Sequence, residues 1–255
     1  MIDGVFYLKG CDDLVARAKD ILERPFSINY VNLIVQGAIV GLITGGIVSC
    51  FRWIIDHSLK LLFWWYPYLE KHLSYVLVYA LFLVAISWLL SKILKYDLTN
   101  LVGSGVPQVE AISLGQNSYA PWQILWRKFV GGLLAICPGL FLGREGPCIQ
   151  MGACVGKGLA NDVFKTSKKD QQTLLLAGVA AGLAAAFSAP LAGVLFMVEE
   201  ITMTFKPRIW LTALAAALSA DLMTLILLGP QPSLAMYITP FVSAPNYVFL
   251  LILGI

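Results

Sequence analysis

Long stretches without a single charged side chain constrain this chain more than any other feature. Asp, Glu, Lys and Arg are absent from residues 25–51, 72–91 and 171–198. Each stretch is long enough for the ~20 residues that a helix needs to cross a bilayer. The chain is 58% hydrophobic and 13% charged, which leaves too few charges to cover a water-soluble fold of this size. We therefore expect an all-α, polytopic integral membrane protein embedded in a lipid bilayer.

The same composition excludes several classes of protein. A net charge of +3 is too small for a nucleic-acid-binding surface, so nucleic acid is not an expected partner. His57 and His72 lack the spacing of metal ligands, and no protease motif is present; no metal, cofactor or enzymatic activity is expected. The five cysteines are odd in number and lie mostly in or beside apolar stretches, which favours reduced thiols: Cys11, Cys50, Cys137, Cys148 and Cys154.

Charge placement predicts the topology. Residues 1–24 form a cytoplasmic or interfacial segment, because Cys11–Glu23 has one apolar and one charged helical face. Residues 25–255 form the transmembrane region, and residues 52–71 are expected to be an outside loop with an aromatic belt. The N-terminus should be cytoplasmic, in a plasma membrane or bacterial inner membrane, because these basic residues flank the first two spans: Lys9, Arg17, Lys19, Arg24, Lys92 and Lys95.

Beyond Leu98 the apolar runs are short and are broken at glycine and proline. They cover residues 129–143, 146–156, 174–188 and 190–198. Tilted, re-entrant and half-length helices of this kind occur where irregular backbone lines a cavity or a binding site. Glycines four residues apart predict close helix packing in lipid, in three groups: Gly37, Gly41 and Gly45; Gly152 and Gly156; Gly178 and Gly182.

Two short motifs place glycines before a proline that can open a helix. A helix that begins inside the membrane directs its free N–H groups and partial positive charge at the break. Two such N-termini facing one another predict an anion site without a full positive charge, from which an anion can leave quickly. The motifs are Gly103-Ser104-Gly105-Val106-Pro107 and Gly143-Arg144-Glu145-Gly146-Pro147.

Glu145 is the most unusual residue, since intramembrane carboxylates are costly and are functional by default. An ion pair with Arg144 is the structural alternative, although adjacent residues do not face each other on a helix. An ionised Glu145 could occupy the site that a diffusing anion requires, and its protonation would release that site. The residue is therefore predicted to be both a gate and a proton carrier.

The other polar candidates allow two interpretations each. Ser104 is either a helix cap ahead of Glu110 or a hydroxyl donor to a dehydrated anion. Glu199 and Glu200 end an apolar helix, and the residues alone favour a solvated cytoplasmic helix end. Asp221 is expected to face protein, at a helix or subunit interface.

At these residues the sequence resembles the CLC family of chloride channels and proton-coupled chloride transporters. The similarity rests on the two motifs and on A-A-F-S-A-P-L-A-G-V-L-F-M-V-E-E at residues 185–200. It implies that Glu145 is the external gating glutamate and that Ser104 binds the central chloride. It also implies that backbone amides around Gly143, Arg144 and Gly146 bind an anion when Glu145 moves away.

The resemblance further implies that Glu200 is the internal proton glutamate of the exchangers, with Glu199 its solvated neighbour. Exchange of chloride for protons is thus favoured over a passive gated channel, and Ser104 with the ordinary gate argues against the fluoride-exporting branch. Family members are homodimers of about twice this length, whose inverted second half supplies a G-x-F-x-P segment and a tyrosine. Neither is present here, so we expect one half of an inverted-repeat fold. A non-transporting assembly subunit remains an alternative.

Overall fold

The computed structural model describes residues 28–230, which form helices and their connections with no strand among them. The amphipathic helix expected at Cys11–Glu23, and the basic residues Lys9, Arg17, Lys19 and Arg24, lie outside the described residues. The helices are α1 (Ile28–Lys71), α2 (Leu73–Leu94), α3 (Leu98–Leu101), α4 (Val106–Ser113), α5 (Pro121–Ile136), α6 (Glu145–Gly158), α7 (Lys168–Phe187), α8 (Pro190–Phe196) and α9 (Pro207–Leu228); π-helical segments Leu159–Val163 and Met197–Thr202 extend α6 and α8.

The all-α prediction is confirmed for this part of the chain. Within residues 28–230, three helices are long and apolar enough to cross a membrane, over Tyr30–Tyr68, Ser74–Leu94 and Pro207–Leu228. The first two coincide with predicted spans. The third charge-free stretch, residues 171–198, is not one span: the chain breaks at Ser188 in a left-handed conformation (φ 54°) and restarts at Pro190, where the apolar runs 174–188 and 190–198 predict a break.

Helix α1 also corrects the predicted outside loop at residues 52–71. Its 44 residues correspond to a length of about 66 Å, more than twice the hydrocarbon thickness of a bilayer, so a helix of this length must tilt or project beyond the hydrocarbon core. The charged residues from Arg52 onwards do not end the helix, because Arg52 and Asp56 find partners on other helices. Trp64, Trp65 and Tyr68 are exposed side chains of this helix.

The first glycine group packs α1 against α9, as the four-residue spacing predicts. A Cβ on Gly41 would lie closer than 3.0 Å to the backbone of Ala216, and one on Gly45 would be 2.6 Å from the carbonyl oxygen of Ala220. Gly37 meets Thr212 in the same way. The absence of side chains at these positions lets the two backbones touch.

The other two glycine groups join α6 to α7. Gly152 packs on the backbone of Gly178, and Gly182 packs on the carbonyl of Cys148. Helix α7 is almost entirely buried along its apolar length. It therefore forms the centre of the described structure, and α6 packs along it. The position of α6 matters because its first turn carries Glu145.

Candidate anion site

The two glycine–proline motifs, 40 residues apart in the chain, are in direct contact. A Cβ on Gly146 would lie closer than 3.0 Å to the carbonyl oxygen of Ser104. A Cβ on Gly105 would be 2.7 Å from the Cβ of Gln150, which is fully buried on α6. The start of α6 therefore packs directly on the loop that precedes α4.

The loop before α4 has a conformation that requires glycine. Gly103 and Gly105 have φ angles of 89° and 91°, a region that residues with a Cβ rarely enter. This conformation lets the chain turn sharply at Ser104 and start the helix at Val106, with Pro107 in the first turn. The motif is thus a structural requirement for placing Ser104 at the break.

Lys128 stabilises this loop from α5 and was not predicted from the sequence. Its ammonium group donates to the carbonyl oxygens of Leu101 and Gly103, at 3.0 and 2.9 Å, and the residue is 6% exposed. Gln108 adds a hydrogen bond to the carbonyl of Val102 at 2.8 Å. The only sequence signal was a lysine in a mostly apolar segment. That signal did not indicate which carbonyl groups Lys128 would bind.

Glu145 opens helix α6 with its side chain turned back over Gly143. A Cβ on Gly143 would lie 2.6 Å from Oε2 of Glu145, so the carboxylate occupies the space that glycine leaves open. Glu145 is half-buried and lines a cavity of about 550 Å³ together with Gly103, Ser104, Gly143 and Gly146. Glu145 thus shares one cavity with residues of both motifs.

The hydroxyl of Ser104 partly serves the capping role considered above. The hydroxyl oxygen accepts a long hydrogen bond, 3.4 Å, from the N–H of Val106. This contact uses a lone pair of the oxygen and does not use the hydroxyl proton. The hydroxyl proton is left for a different acceptor. Since Ser104 also lines the cavity, its two interpretations are compatible.

Arg144 does not pair with Glu145. Its Nη1 atom donates to Oδ1 of Asp56 on α1 at 3.0 Å, and among the described residues it is not part of the cavity lining. The ion pair therefore turns the guanidinium towards α1, although the backbone of Arg144 lies at the start of α6. Asp56 was missed because residues 52–71 were expected to be a loop.

The cavity also corrects the expected absence of full positive charge. Lys128 and Arg127 line it, next to the small or apolar side chains of Gly131 and Leu90. The charge of Lys128 is shared with the two carbonyl oxygens that it binds, which weakens its attraction for an anion. The cavity therefore combines the N-terminus of α6 with one buried ammonium group.

Glu200 lies away from this cavity. Glu199 and Glu200 are exposed in the π-helical segment that follows α8. Met197 and Ile201 of that segment pack with Val109 of α4 in one apolar cluster. The segment is thus attached to the helix that Ser104 precedes, and π-helical turns are frequent at functional sites.

Asp221, the two histidines and the described cysteines do not line the cavity. Oδ1 of Asp221 is buried in the protein, as expected for a carboxylate that avoids lipid. His57 lies within α1 and His72 lies between α1 and α2. No group of metal-ligating residues occurs within the described range. The four cysteines of that range are free: Cys50, Cys137, Cys148 and Cys154.

Comparison with known proteins identifies relatives of this arrangement. The family model described as "Voltage gated chloride channel" matches residues 80–255. The H(+)/Cl(-) exchange transporter ClcA of Vibrio parahaemolyticus is 36% identical over 190 residues, covering 72% of this chain and 38% of the relative. ClcA of Vibrio cholerae is 46% identical over 105 residues, covering 41% of this chain and 22% of the relative.

Solved structures show the same fold. A slow cyanobacterial Cl-/H+ antiporter superimposes with a TM-score of 0.73 at 29% identity, over 87% of this chain and 53% of that protein. A CLC-type fluoride/proton antiporter superimposes with a TM-score of 0.66 at 25% identity, over 88% and 54%. The chain thus spans about half the length of the solved relatives, and the curated relatives match it over less than two fifths of theirs.

Proposed function

This chain belongs to the voltage gated chloride channel family, and from that premise we propose that the full-length protein exchanges chloride for protons across a membrane. Glu145 is the gate in this proposal. The observation that carries it is that Glu145, at the start of α6, shares one cavity with Gly103 and Ser104 of the loop before α4. A carboxylate at that place competes directly with a diffusing anion for the same N–H groups and positive potential.

The exchange follows from this competition. An ionised Glu145 occupies the anion position and blocks the path. A proton arriving from one side neutralises the carboxylate, which then has no preference for a site built for anions and moves away. Chloride enters the vacated position, and its departure allows the glutamate to return and release the proton on the other side. One binding position is thus used alternately by chloride and by the proton-carrying side chain.

The remaining motif residues have distinct roles in this mechanism. The hydroxyl group of Ser104 donates a hydrogen bond to chloride at the centre of the pathway. The backbone amides around Gly143, Arg144 and Gly146 bind an anion when Glu145 is displaced. Gly103, Gly105, Val106 and Pro107 hold Ser104 in place and start helix α4, which agrees with the positive φ angles of the two glycines.

Glu200 transfers the proton on the cytoplasmic side. Its exposure on a π-helical segment that packs against Val109 of α4 supports a role in proton entry, on the helix that Ser104 precedes. The relatives named as antiporters also favour exchange over a passive channel. A gated chloride channel of the same fold is the alternative, in which Glu145 opens the path without net proton transfer.

The full protein would contain a second half that completes the anion site. We further propose a multi-pass protein with a cytoplasmic N-terminus, in which residues 1–24 form a segment distinct from the transmembrane region 25–255. It assembles as a homodimer with one pathway per subunit, in a plasma membrane or bacterial inner membrane. The alternative is that this chain does not transport ions and serves only as an assembly subunit. Appreciable chloride flux from reconstituted residues 1–255 would contradict that alternative.

The decisive experiment is Glu145→Gln in the full-length protein, reconstituted in liposomes. Chloride flux should persist while chloride-driven proton movement disappears, because the amide cannot carry a proton. Glu199→Gln and Glu200→Gln form a matched pair: only the second should abolish proton coupling. Coupled proton movement in the Glu145 variant would refute the gate. A wild-type reversal potential that ignores an imposed pH gradient would identify a channel.

A further inference from the structure

Three basic side chains lie close together where helix α2 ends and α5 passes beside it. Lys92 lies in the last turn of α2, and Lys95 follows the helix directly. Helix α5 packs on α2, and the Cζ atom of its Arg127 is 3.4 Å from the centre of the Tyr96 ring. Because Tyr96 is the chain neighbour of Lys95, this stacking brings Arg127 to the same end of α2. We call Lys92, Lys95 and Arg127 the basic patch.

The charges of the basic patch are not neutralised by acidic side chains. None of its three members forms an ion pair within residues 28–230, and helices α2 and α5 contain no Asp or Glu. The nearest acidic residue in the chain is Asp97. Its two carboxylate oxygens accept hydrogen bonds from the backbone N–H and the side-chain amide of Asn100, at 3.2 and 2.7 Å. The basic patch therefore has an excess of positive charge that favours an anionic ligand.

Arg127 is held in a position from which it can bind an oxyanion. Its ring contacts with Tyr96 and Trp126 fix the guanidinium, and Nη1 donates to the carbonyl oxygen of Gln123 at 3.1 Å. A guanidinium group carries five N–H donors in a planar fork, so most of them remain for a ligand. Phosphate accepts two such hydrogen bonds at once. The geometry therefore suits a phosphate group better than a monatomic anion.

The basic patch lies where the apolar length of α2 ends. The segment Ser74–Leu94 is long and apolar enough to cross a membrane, and Lys92 belongs to its last turn. Trp88, Tyr96 and Trp126 beside the basic patch are each at least half exposed. Exposed Trp and Tyr side chains are enriched at the depth of the lipid headgroups. The phosphate groups available at that depth are those of phospholipids.

A groove at the same end of α2 provides an apolar surface next to these charges. Its volume is about 240 Å³, and its lining includes Lys95, the hydroxyl-bearing Ser91, and Leu90 and Leu94. The two leucines also line the anion cavity together with Arg127. The groove and the cavity therefore adjoin, with a basic residue on each side of the leucines. This combination matches a molecule with a charged head and apolar chains, whereas a free phosphate would use only the charged part.

We propose that the basic patch and the adjoining groove bind an anionic phospholipid. Lys92, Lys95 and Arg127 hold the phosphodiester, and the acyl chains lie along the apolar surface of α2. This site is distinct from the position occupied by Glu145 and does not depend on the exchange mechanism. The inference therefore goes beyond the proposed function, and either can fail without the other.

The test measures lipid binding to the full-length protein in detergent by native mass spectrometry. Phosphatidylglycerol should bind about tenfold or more tightly than phosphatidylcholine of the same chain length, because each Lys or Arg near an anionic lipid raises its affinity about fivefold. The triple variant Lys92→Gln, Lys95→Gln and Arg127→Gln should lose this preference. The double variant Lys92→Gln with Lys95→Gln changes only exposed side chains. It should weaken phosphatidylglycerol binding about tenfold even if the triple variant does not fold.

Lys165, Lys168 and Lys169 provide the matched control, because they are three exposed cations before and within the first turn of α7. Replacing all three with Gln removes the same charge and should leave phosphatidylglycerol binding unchanged. Equal binding of the two lipids by the wild type, or an equal loss in both triple variants, would overturn the inference. Equal affinity for glycerol phosphate, measured by competition, would also overturn it, since the ligand would then be a free phosphate and the groove would contribute nothing.

Discussion

Gly146 lies directly against the carbonyl group of Ser104, with no room between them for a side chain. This contact joins the first turn of α6 to the loop that starts α4. The relative position of Glu145 and Ser104 therefore depends on one missing methyl group. Close backbone approach of this kind is a recurring use of glycine near binding sites.

Gly146→Ala should separate the two motifs and strongly reduce chloride flux. The added methyl would overlap backbone atoms, and the cost of such overpacking is about 1–3 kcal/mol. Gly131→Ala is the control, since its methyl enters the same cavity at an ordinary 3.6 Å from Leu90. Liposome flux assays compare the two. Equal activity of both variants would show that the contact between the motifs has no functional role.

Lys128→Met should weaken chloride binding by about tenfold, the order expected when one partly buried charge is lost from an anion site. The variant also removes the hydrogen bonds to Leu101 and Gly103, so the loop that carries Ser104 should become less ordered. Lys92→Met removes an exposed charge that stacks on Trp88 and should bind chloride as wild type does. Calorimetric titration with chloride measures both affinities.

Arg52→Met should lower the free energy of unfolding by about 2 kcal/mol, as expected when the charged donor to a buried carbonyl oxygen is removed. Arg52 is buried and donates to the carbonyl of Ala185 and the hydroxyl of Ser188, at the end of α7. Without it, the last turn of α7 loses donors inside the membrane. Thermal unfolding in detergent should show a drop of several degrees, whereas Arg208→Met, which breaks an exposed pair, should cost less than about 1 kcal/mol.

Gly41→Ala should destabilise the packing of α1 on α9 by about 1–3 kcal/mol. Its Cβ would overlap the backbone of Ala216, whereas a Cβ on nearby Gly46 meets only the terminal methyl of Met223, at 3.7 Å. Gly46→Ala is therefore expected to leave the thermal midpoint nearly unchanged. A similar midpoint for both variants would contradict the predicted role of the glycine spacing.

The membrane class, the helix breaks and the packing glycines are local properties, and the sequence contains them. A backbone inside a bilayer must satisfy its own hydrogen bonds, so charge-free runs predict helices and glycine–proline motifs predict where helices start. The same reasoning placed Ser104 and Glu145 at breaks. The prediction of a loop at residues 52–71 is wrong because charged side chains were interpreted as solvent-facing, whereas Arg52 and Asp56 bind residues at the ends of other helices.

The sequence alone therefore determined that the chain lies in lipid, where its helices break, and which residues lie at those breaks. Only the tertiary structure decided that Asp56 takes the guanidinium of Arg144, 88 positions away, and that Lys128 binds the carbonyls of Leu101 and Gly103. The physical reason is the sequence separation of the interacting residues. The start of a helix depends on neighbouring residues, whereas the partner of a charged side chain depends on how helices distant in sequence cross. Those crossings follow from backbone contacts between glycines on different helices, which no local pattern assigns to each other.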